Sequence, residues 1–353
     1  MNKIKIFIDC SLQNDRFNDL LNYSMKYNVL NKYNIEFVDN YKVSNLILFL
    51  VNSGNNLINL NNNYNYLYET NIPIILLERQ DSSITWCRDI HKIKNLKAIF
   101  KNRILRYKKM NNTSNIKYGK YNFYLVKDIV KNKNIEITKN KSDIGIEYYN
   151  DINNFSSINT TFLENIKVIL WDFHSSPLCK HKDISMEYFR NNNINFNKKY
   201  DIFCVNQKKT NNYVNEPRKK AKEIVNSLSE KYKVVTNKLN KNEYEQIFSQ
   251  SKICIACWGF GEWVHMDAYA MYAGVLLIKP DTDHVLMYPD IYKSNKIYIP
   301  CNHDYSNLKE VIEDSLKNYD KYKSMINKNR EILMNITEEK CCDIFWKNVI
   351  NFI

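Results

Sequence analysis

Glycine is scarce in this chain, six in 353 residues, so there are few places where the backbone can turn left-handed or come close to another group. No apolar run approaches the roughly 18 residues that a membrane-spanning helix needs, and Met1–Phe7 lacks the apolar stretch of a secretory leader. The expectation is a cytoplasmic protein, in the host cytoplasm if the gene is viral. The nine cysteines are scattered. Cys254 and Cys257 fall in a predicted strand, with no second pair and no histidines at zinc spacing, which argues against both a disulfide framework and a zinc centre. They read as reduced, structural thiols. No helix-turn-helix, zinc-finger or RNP signature is present, and no repeat of fixed period.

A formal charge of +13 from 51 basic and 38 acidic residues invites a nucleic-acid reading. The lysines are spread over nearly the whole chain, however, and nothing gathers them on one face. The abundance of Lys, Asn, Ile and Tyr is what an AT-rich genome produces by codon drift, whether in a large DNA virus, a protist or a low-GC bacterium. Such a charge also attracts small anions. Nucleic acid is therefore the weaker expectation for a partner, and anionic small molecules the stronger. With 44% hydrophobic residues over this length, the chain can bury two ordinary cores, and more than one α/β domain is expected.

Three of the six glycines lie within Gly259–Gly274, with Trp258 just before them and Trp263 among them. Ile253–Cys257 is an apolar run of strand length, and Gly259-Phe260-Gly261 permits a tight turn. Glu262–Ala273 places Trp263, Met266, Ala270 and Ala273 at helical spacing. Gly274 suits a helix C-cap, and Val275–Ile278 is a second buried strand. A helix between two apolar strands is the unit of a parallel sheet, whose ligands sit outside the carboxyl ends of the strands. Those ends would carry Trp258–Glu262 and Lys279–His284. The helix N-terminus between them would offer free N–H groups to a phosphate or pyrophosphate.

The rest of the chain divides into two. Lys3–Asp9, Leu46–Val51 and Ile72–Leu77 read as strands of a first wound sheet, and Val168–Trp171 as a further short strand. Asp201–Val205 opens a second unit, with a hinge within 180–200. There Glu216-Pro217 marks a helix start, Tyr232–Thr236 a strand, and Asn240 with Glu243 a capping box. A helix near Asn307–Leu316, a lysine-rich helix and an amphipathic Glu338–Phe352 complete the chain. The boundaries implied are residues 1–190, 191–335 and 336–353.

Ser251–Ile297 resembles the donor-binding C-terminal domain of GT-B fold glycosyltransferases of the group-1 kind. The likeness is carried by Gly261-Glu262, Asp267, Ala273-Gly274, Leu277 through Asp281, His284 and Pro289 through Tyr292, and it extends over roughly 200–330. It implies two Rossmann-like domains facing across a cleft, with the C-terminal helix crossing back to the first. It further implies transfer of a sugar from a nucleotide-sugar donor to a glycan, lipid or protein acceptor, with no cofactor and no metal. Asp281-Thr282-Asp283 has the form of a metal-binding Asp-Xaa-Asp, yet lies where GT-B relatives place donor contacts. The chain departs from the family at Met266 and Tyr269, where relatives carry an arginine and a ribose-binding carboxylate. Two other readings therefore stand beside the enzyme: an impaired GT-B protein that binds a nucleotide sugar or glycan without turnover, and a basic nucleic-acid-binding accessory protein.

On the enzyme reading, Gly259, Phe260 and Gly261, with the N–H groups of Glu262 and Trp263, would cradle the diphosphate; the plainer reading is a tight turn. Glu262, His265 and Asp267 are candidate sugar or ribose contacts, or simply polar residues of a helix start. Lys279 and Arg218 are candidate cations for the leaving diphosphate, since fixed positive charge stabilises charge that develops there; for Arg218 the plainer reading is a solvated helix face beside Lys219 and Lys220. Asp281 and His284 are candidate donor contacts. A general base for the acceptor hydroxyl would stand at the carboxyl edge of the first sheet. Asp9 and Asp81 are the candidates there, followed by Asp172 and His174.

Overall fold

The computed structural model describes residues 2–9, 15–52, 64–79, 93–101, 103–105, 166–168, 186–205, 212–257, 263–282, 285–287, 291, 293–302 and 304–353. Among these residues the chain forms two parallel sheets and one two-stranded antiparallel ribbon. The first sheet is built from β1 (Ile4–Asp9), β2 (Ile35–Val38), β3 (Leu46–Asn52), β4 (Ile74–Arg79), β5 (Leu96–Lys101) and β7 (Ile166–Val168), in the order β2-β1-β3-β4-β5-β7. The second contains β8 (Tyr200–Phe203), β9 (Val234–Val235), β10 (Ser251–Ile255), β11 (Leu276–Pro280) and β13 (Ile299–Cys301), in the order β13-β11-β10-β8-β9. Both run out from a first strand in two directions, the doubly wound pattern in which the strand order reverses beside that strand. The two-unit α/β expectation from the sequence is what the chain adopts.

Strands buried on both faces read as continuous apolar runs, and here alternate residues of each strand serve opposite cores. In the first sheet, Leu46, Leu48 and Leu50 face α1 (Asp15–Lys26) and α2 (Val29–Lys32), while Ile47 and Phe49 face α3 (Tyr66–Glu69). In the second, Cys254 and Leu277 pack beneath α4 (Met186–Asn191), α6 (Lys241–Ser249) and α7 (His265–Ala273). Ile253, Ile255 and Ile278 pack beneath α5 (Asn212–Asn226), α8 (Leu308–Lys317) and the start of α9 (Tyr319–Met334). The packing of Met186 and Phe189 joins α4 to the second core, upstream of the expected 190/191 boundary.

The last helix, α10 (Glu338–Ile350), returns to the first sheet. Cys341, Cys342, Phe345, Trp346 and Val349 are buried with Ile6, Leu48 and Phe100. Phe345 meets Phe100 edge-on at 5.6 Å between centroids, and the Trp346 indole N–H donates to Ser24 Oγ at 2.7 Å. On the outer side, Lys32 donates to Asp343 Oδ1 at 2.5 Å and the Tyr33 hydroxyl donates to the same oxygen at 2.9 Å. Ile336, just before α10, packs against the cores of both units. A second tie is the ribbon, in which β6 (Arg103–Leu105), directly after β5, pairs with β12 (Val285–Met287), shortly after β11.

Two local expectations shift. Helix α5 begins at Asn212, so Pro217 sits inside it rather than in its first turn. The proline removes one backbone donor, but α-helical geometry before a proline is disfavoured rather than barred. Helix α7 begins at His265, not Glu262, because Trp263 and Val264 are drawn into the core beneath it; Val264 is extended, with φ −131° and ψ 154°. The Asn240/Glu243 capping box is present, each side chain taking up the other residue's backbone N–H at 3.0 Å. Gly274 ends α7 in the left-handed region at φ 66°.

Candidate functional site

In a doubly wound sheet the strand order reverses at one point, and the crevice there, beyond the carboxyl ends of the strands, is where ligands bind. In the second sheet that point lies between β8 and β10, whose ends continue into Cys204 and Cys257. The two thiols are hydrogen-bonded to each other, and that bond and burial hold the Cys204 thiol well above its usual value. Cys301 is pushed up by burial as well. All six described cysteines are buried and outside any disulfide, and thiols buried in this way are inert as nucleophiles.

Arg218, on the helix that follows β8, brings its guanidinium to this point. Burial pulls its affinity for protons down, while Cys257 and Tyr305 oppose that pull. Tyr305 is fully buried, and burial and then Cys257 raise its hydroxyl's value. Its backbone sits at φ 59°, a region that costs a bulky residue of order 1–3 kcal/mol and persists only where neighbours impose it. Here Ser306 donates its N–H to Asp304 Oδ1 at 2.9 Å, and Asn302 donates its N–H to Asn307 Oδ1 at 2.7 Å. These bonds fold the loop that aims Tyr305 inward.

Beside the switch point, α7 presents its first turn with no side-chain cap. His265 is half-buried between Trp263, 5.1 Å away edge-on, and Tyr269, 6.4 Å away and stacked. Asp267 does not face solvent: it is wholly buried and ion-paired with Lys279, whose side chain is 1% exposed. The sequence's candidate diphosphate cation and one of its candidate sugar contacts thus meet each other here. A charge so deeply buried needs its partner, and each neutralises the other's charge. Lys279 also lies over the Tyr298 ring, 5.9 Å from its centroid. Asp281, half-buried at the end of β11, donates its N–H to the Cys301 carbonyl at 3.2 Å.

Met266 and Tyr269, the positions that depart from the glycosyltransferase pattern, belong to the aromatic core. Tyr269 is buried against Phe189 at 5.3 Å and Phe248 at 6.5 Å, and Met266 packs on the same cluster. In the first unit Asp9 ends β1, beside the point where that sheet's order reverses, and accepts the Tyr66 hydroxyl. Burial and Asp9 both push that hydroxyl far up. Gly259, Phe260, Gly261, Glu262, His284 and Asp81 lie outside the described residues, as do Asp172, His174 and Asp283. Among the described residues no group of three or more His, Cys, Asp or Glu could hold a metal ion, and no helix is long and apolar enough to cross a membrane.

The fold defines a two-unit α/β protein whose second sheet reverses its strand order between β8 and β10. No family model and no curated protein matches the chain. Among solved structures it is similar to an α1,3-fucosyltransferase, at 12% identity over 93% of this chain and 82% of that one, with a TM-score of 0.42. It is similar to TarM at 14% identity over 79% of this chain and 55% of that one (TM-score 0.38), and to the glycotransferase of kitacinnamycin at 8% over 96% and 84% (TM-score 0.34).

Proposed function

We propose that this protein is a glycosyltransferase that takes a nucleotide-sugar donor at the carboxyl edge of its second sheet and passes the sugar to a glycan, lipid or protein acceptor held by the first. The observation that carries this reading is Arg218 at the strand-order reversal between β8 and β10, in the sheet from whose strand β10 the chain leads on to the uncapped first turn of α7. A half-buried guanidinium and a helix N-terminus are both suited to a diphosphate. Arg218 neutralises the leaving diphosphate, while Gly259, Phe260, Gly261 and Glu262 form the turn that meets it. His265, Asp281 and His284 approach the sugar and nucleoside. Asp267 and Lys279 frame the site as a pair rather than contacting the donor. Asp9, steadied by Tyr66, or Asp81 deprotonates the acceptor, and no metal takes part. The protein works in the cytoplasm, with residues 1–190, 191–335 and 336–353 as acceptor-side unit, donor-side unit and return helix.

A second reading is favoured by one observation, the occupation of positions 266 and 269 by core-packing side chains: the protein binds the donor without turning it over. A thermal-shift panel of UDP, GDP, CMP and TDP with their common sugars, run with a Gly261→Trp variant, tests both. A ligand at about a hundred times its Kd adds roughly 2.7 kcal/mol. Stabilisation by one nucleotide, lost in the variant, supports donor binding at 259–262. Release of free sugar or of transfer product then separates enzyme from binder, and silence across the panel removes both readings.

A further inference from the structure

Tyr298, immediately before β13, is fully buried in the core beneath α7, and its hydroxyl makes three hydrogen bonds at the end of β11. It donates to Asp281 Oδ1 at 3.0 Å and accepts the Thr282 backbone N–H at 2.8 Å and the Thr282 hydroxyl at 3.2 Å. A phenol has one proton to give and two lone pairs to offer, so this one is fully used on two consecutive residues. Its ring lies under the Lys279 ammonium, whose partner Asp267 stands in the first turn of α7. One side chain therefore joins the turn after β11 to the helix start after β10.

We propose that Tyr298 is the positioning residue of the donor site: it fixes the direction of the Asp281 carboxylate and the path of the Asp281–Thr282 turn, and so sets how tightly a nucleoside diphosphate is held. The proposal rests on the donor-site reading above. Tyr298 touches no donor itself. It acts by removing the freedom of Asp281, a half-buried group that would otherwise sample several rotamers and have to be ordered on binding. Phenylalanine keeps the ring and its contact with Lys279, but removes the hydroxyl that accepts the Thr282 N–H and donates to the Asp281 carboxylate.

The test is isothermal titration of the full chain with UDP, GDP, CMP and TDP, comparing the unmodified protein with Tyr298→Phe and Asn329→Ala. Asn329 donates to the neighbouring Ile297 carbonyl at 2.6 Å, so its loss removes a buried hydrogen bond near by without touching the Asp281–Thr282 turn. The expected result is that both variants melt at lower temperature, but only Tyr298→Phe weakens the nucleotide that binds the unmodified protein, by about tenfold. Equal affinity in Tyr298→Phe and the unmodified protein overturns the positioning role and leaves the donor reading standing. An equal loss in both variants also overturns it, since stability alone then explains the effect. If none of the four nucleotides binds the unmodified protein, the donor reading falls and this inference with it.

Discussion

The buried pair of Asp267 and Lys279 offers the sharpest quantitative test of the second unit. Both side chains are essentially free of solvent contact. At an effective dielectric of about 20, two unit charges roughly 4 Å apart attract by about 4 kcal/mol, so removing either partner strands the other at a cost of about 3–5 kcal/mol. Lys279→Met keeps the stem volume and its packing on Tyr298 while deleting the charge, and Asp267→Asn does the same on the other side. Each should lower the melting temperature by roughly 6–20 °C, at about 2–4 °C per kcal/mol for a unit of this size. The double variant removes both charges and should cost clearly less than the sum, a coupling of about 2–3 kcal/mol in a urea double-mutant cycle. Additive losses, or single-variant losses below about 1 kcal/mol, would refute the pairing. A Lys279→Met protein of unchanged stability that loses nucleotide binding would place the ammonium on a ligand instead.

Three further outcomes follow from separate parts of the fold. Gly274→Ala places a Cβ 2.5 Å from Ile194 Cγ2 at a residue with φ +66°, and should cost about 2–4 kcal/mol by chemical denaturation. Arg330 donates to the last carbonyls of α4 and α7, at 3.1 Å to Phe189, 2.7 Å to Arg190 and also to Tyr272; Arg330→Ala should lose about 3 kcal/mol, and Arg330→Lys, with no planar fork, should recover little of it. Asp343 is pushed up by burial, but hydrogen bonds from Lys32 and Tyr33 more than offset this, and its carboxyl is held below the ordinary range. A lowered carboxyl stabilises the fold above its unfolded value and loses that contribution as pH falls through the folded one. Melting temperature measured downward from about pH 5 should therefore fall less steeply in Asp343→Asn than in the unmodified chain.

The β10–α7–β11 unit was the most legible part of the chain, because apolar runs of strand length and a glycine at the helix end are local signals. Gly274 adopts the left-handed cap expected of it, and the Asn240/Glu243 spacing gives its box directly. Short strands were missed. Ile35–Val38, Ile299–Cys301 and the ribbon strands span three or four residues each, too few to show a period, and Leu96–Lys101 went unread beside its basic flank. The contacts of the candidate site residues were not legible. Asp267 and Lys279 were both singled out, yet nothing in a sequence says that two charges 12 positions apart will be sealed against each other. Tyr298 and Tyr305 were passed over among 26 tyrosines. The signals that would have found them are their positions: Tyr298 immediately before a buried strand, and Tyr305 inside an Asn/Asp/Ser turn whose side chains bond back to the backbone.

The ribbon of β6 and β12 gives the molecule a mechanical linkage. β6 leaves the first sheet one residue after β5, and β12 begins three residues after Thr282. With Ile336 and α10 fastening the far end of the chain to the same first unit, the two halves are not beads on a string. Any rotation of one against the other has to bend or break the β6–β12 pairing, whose second strand begins three residues after Thr282.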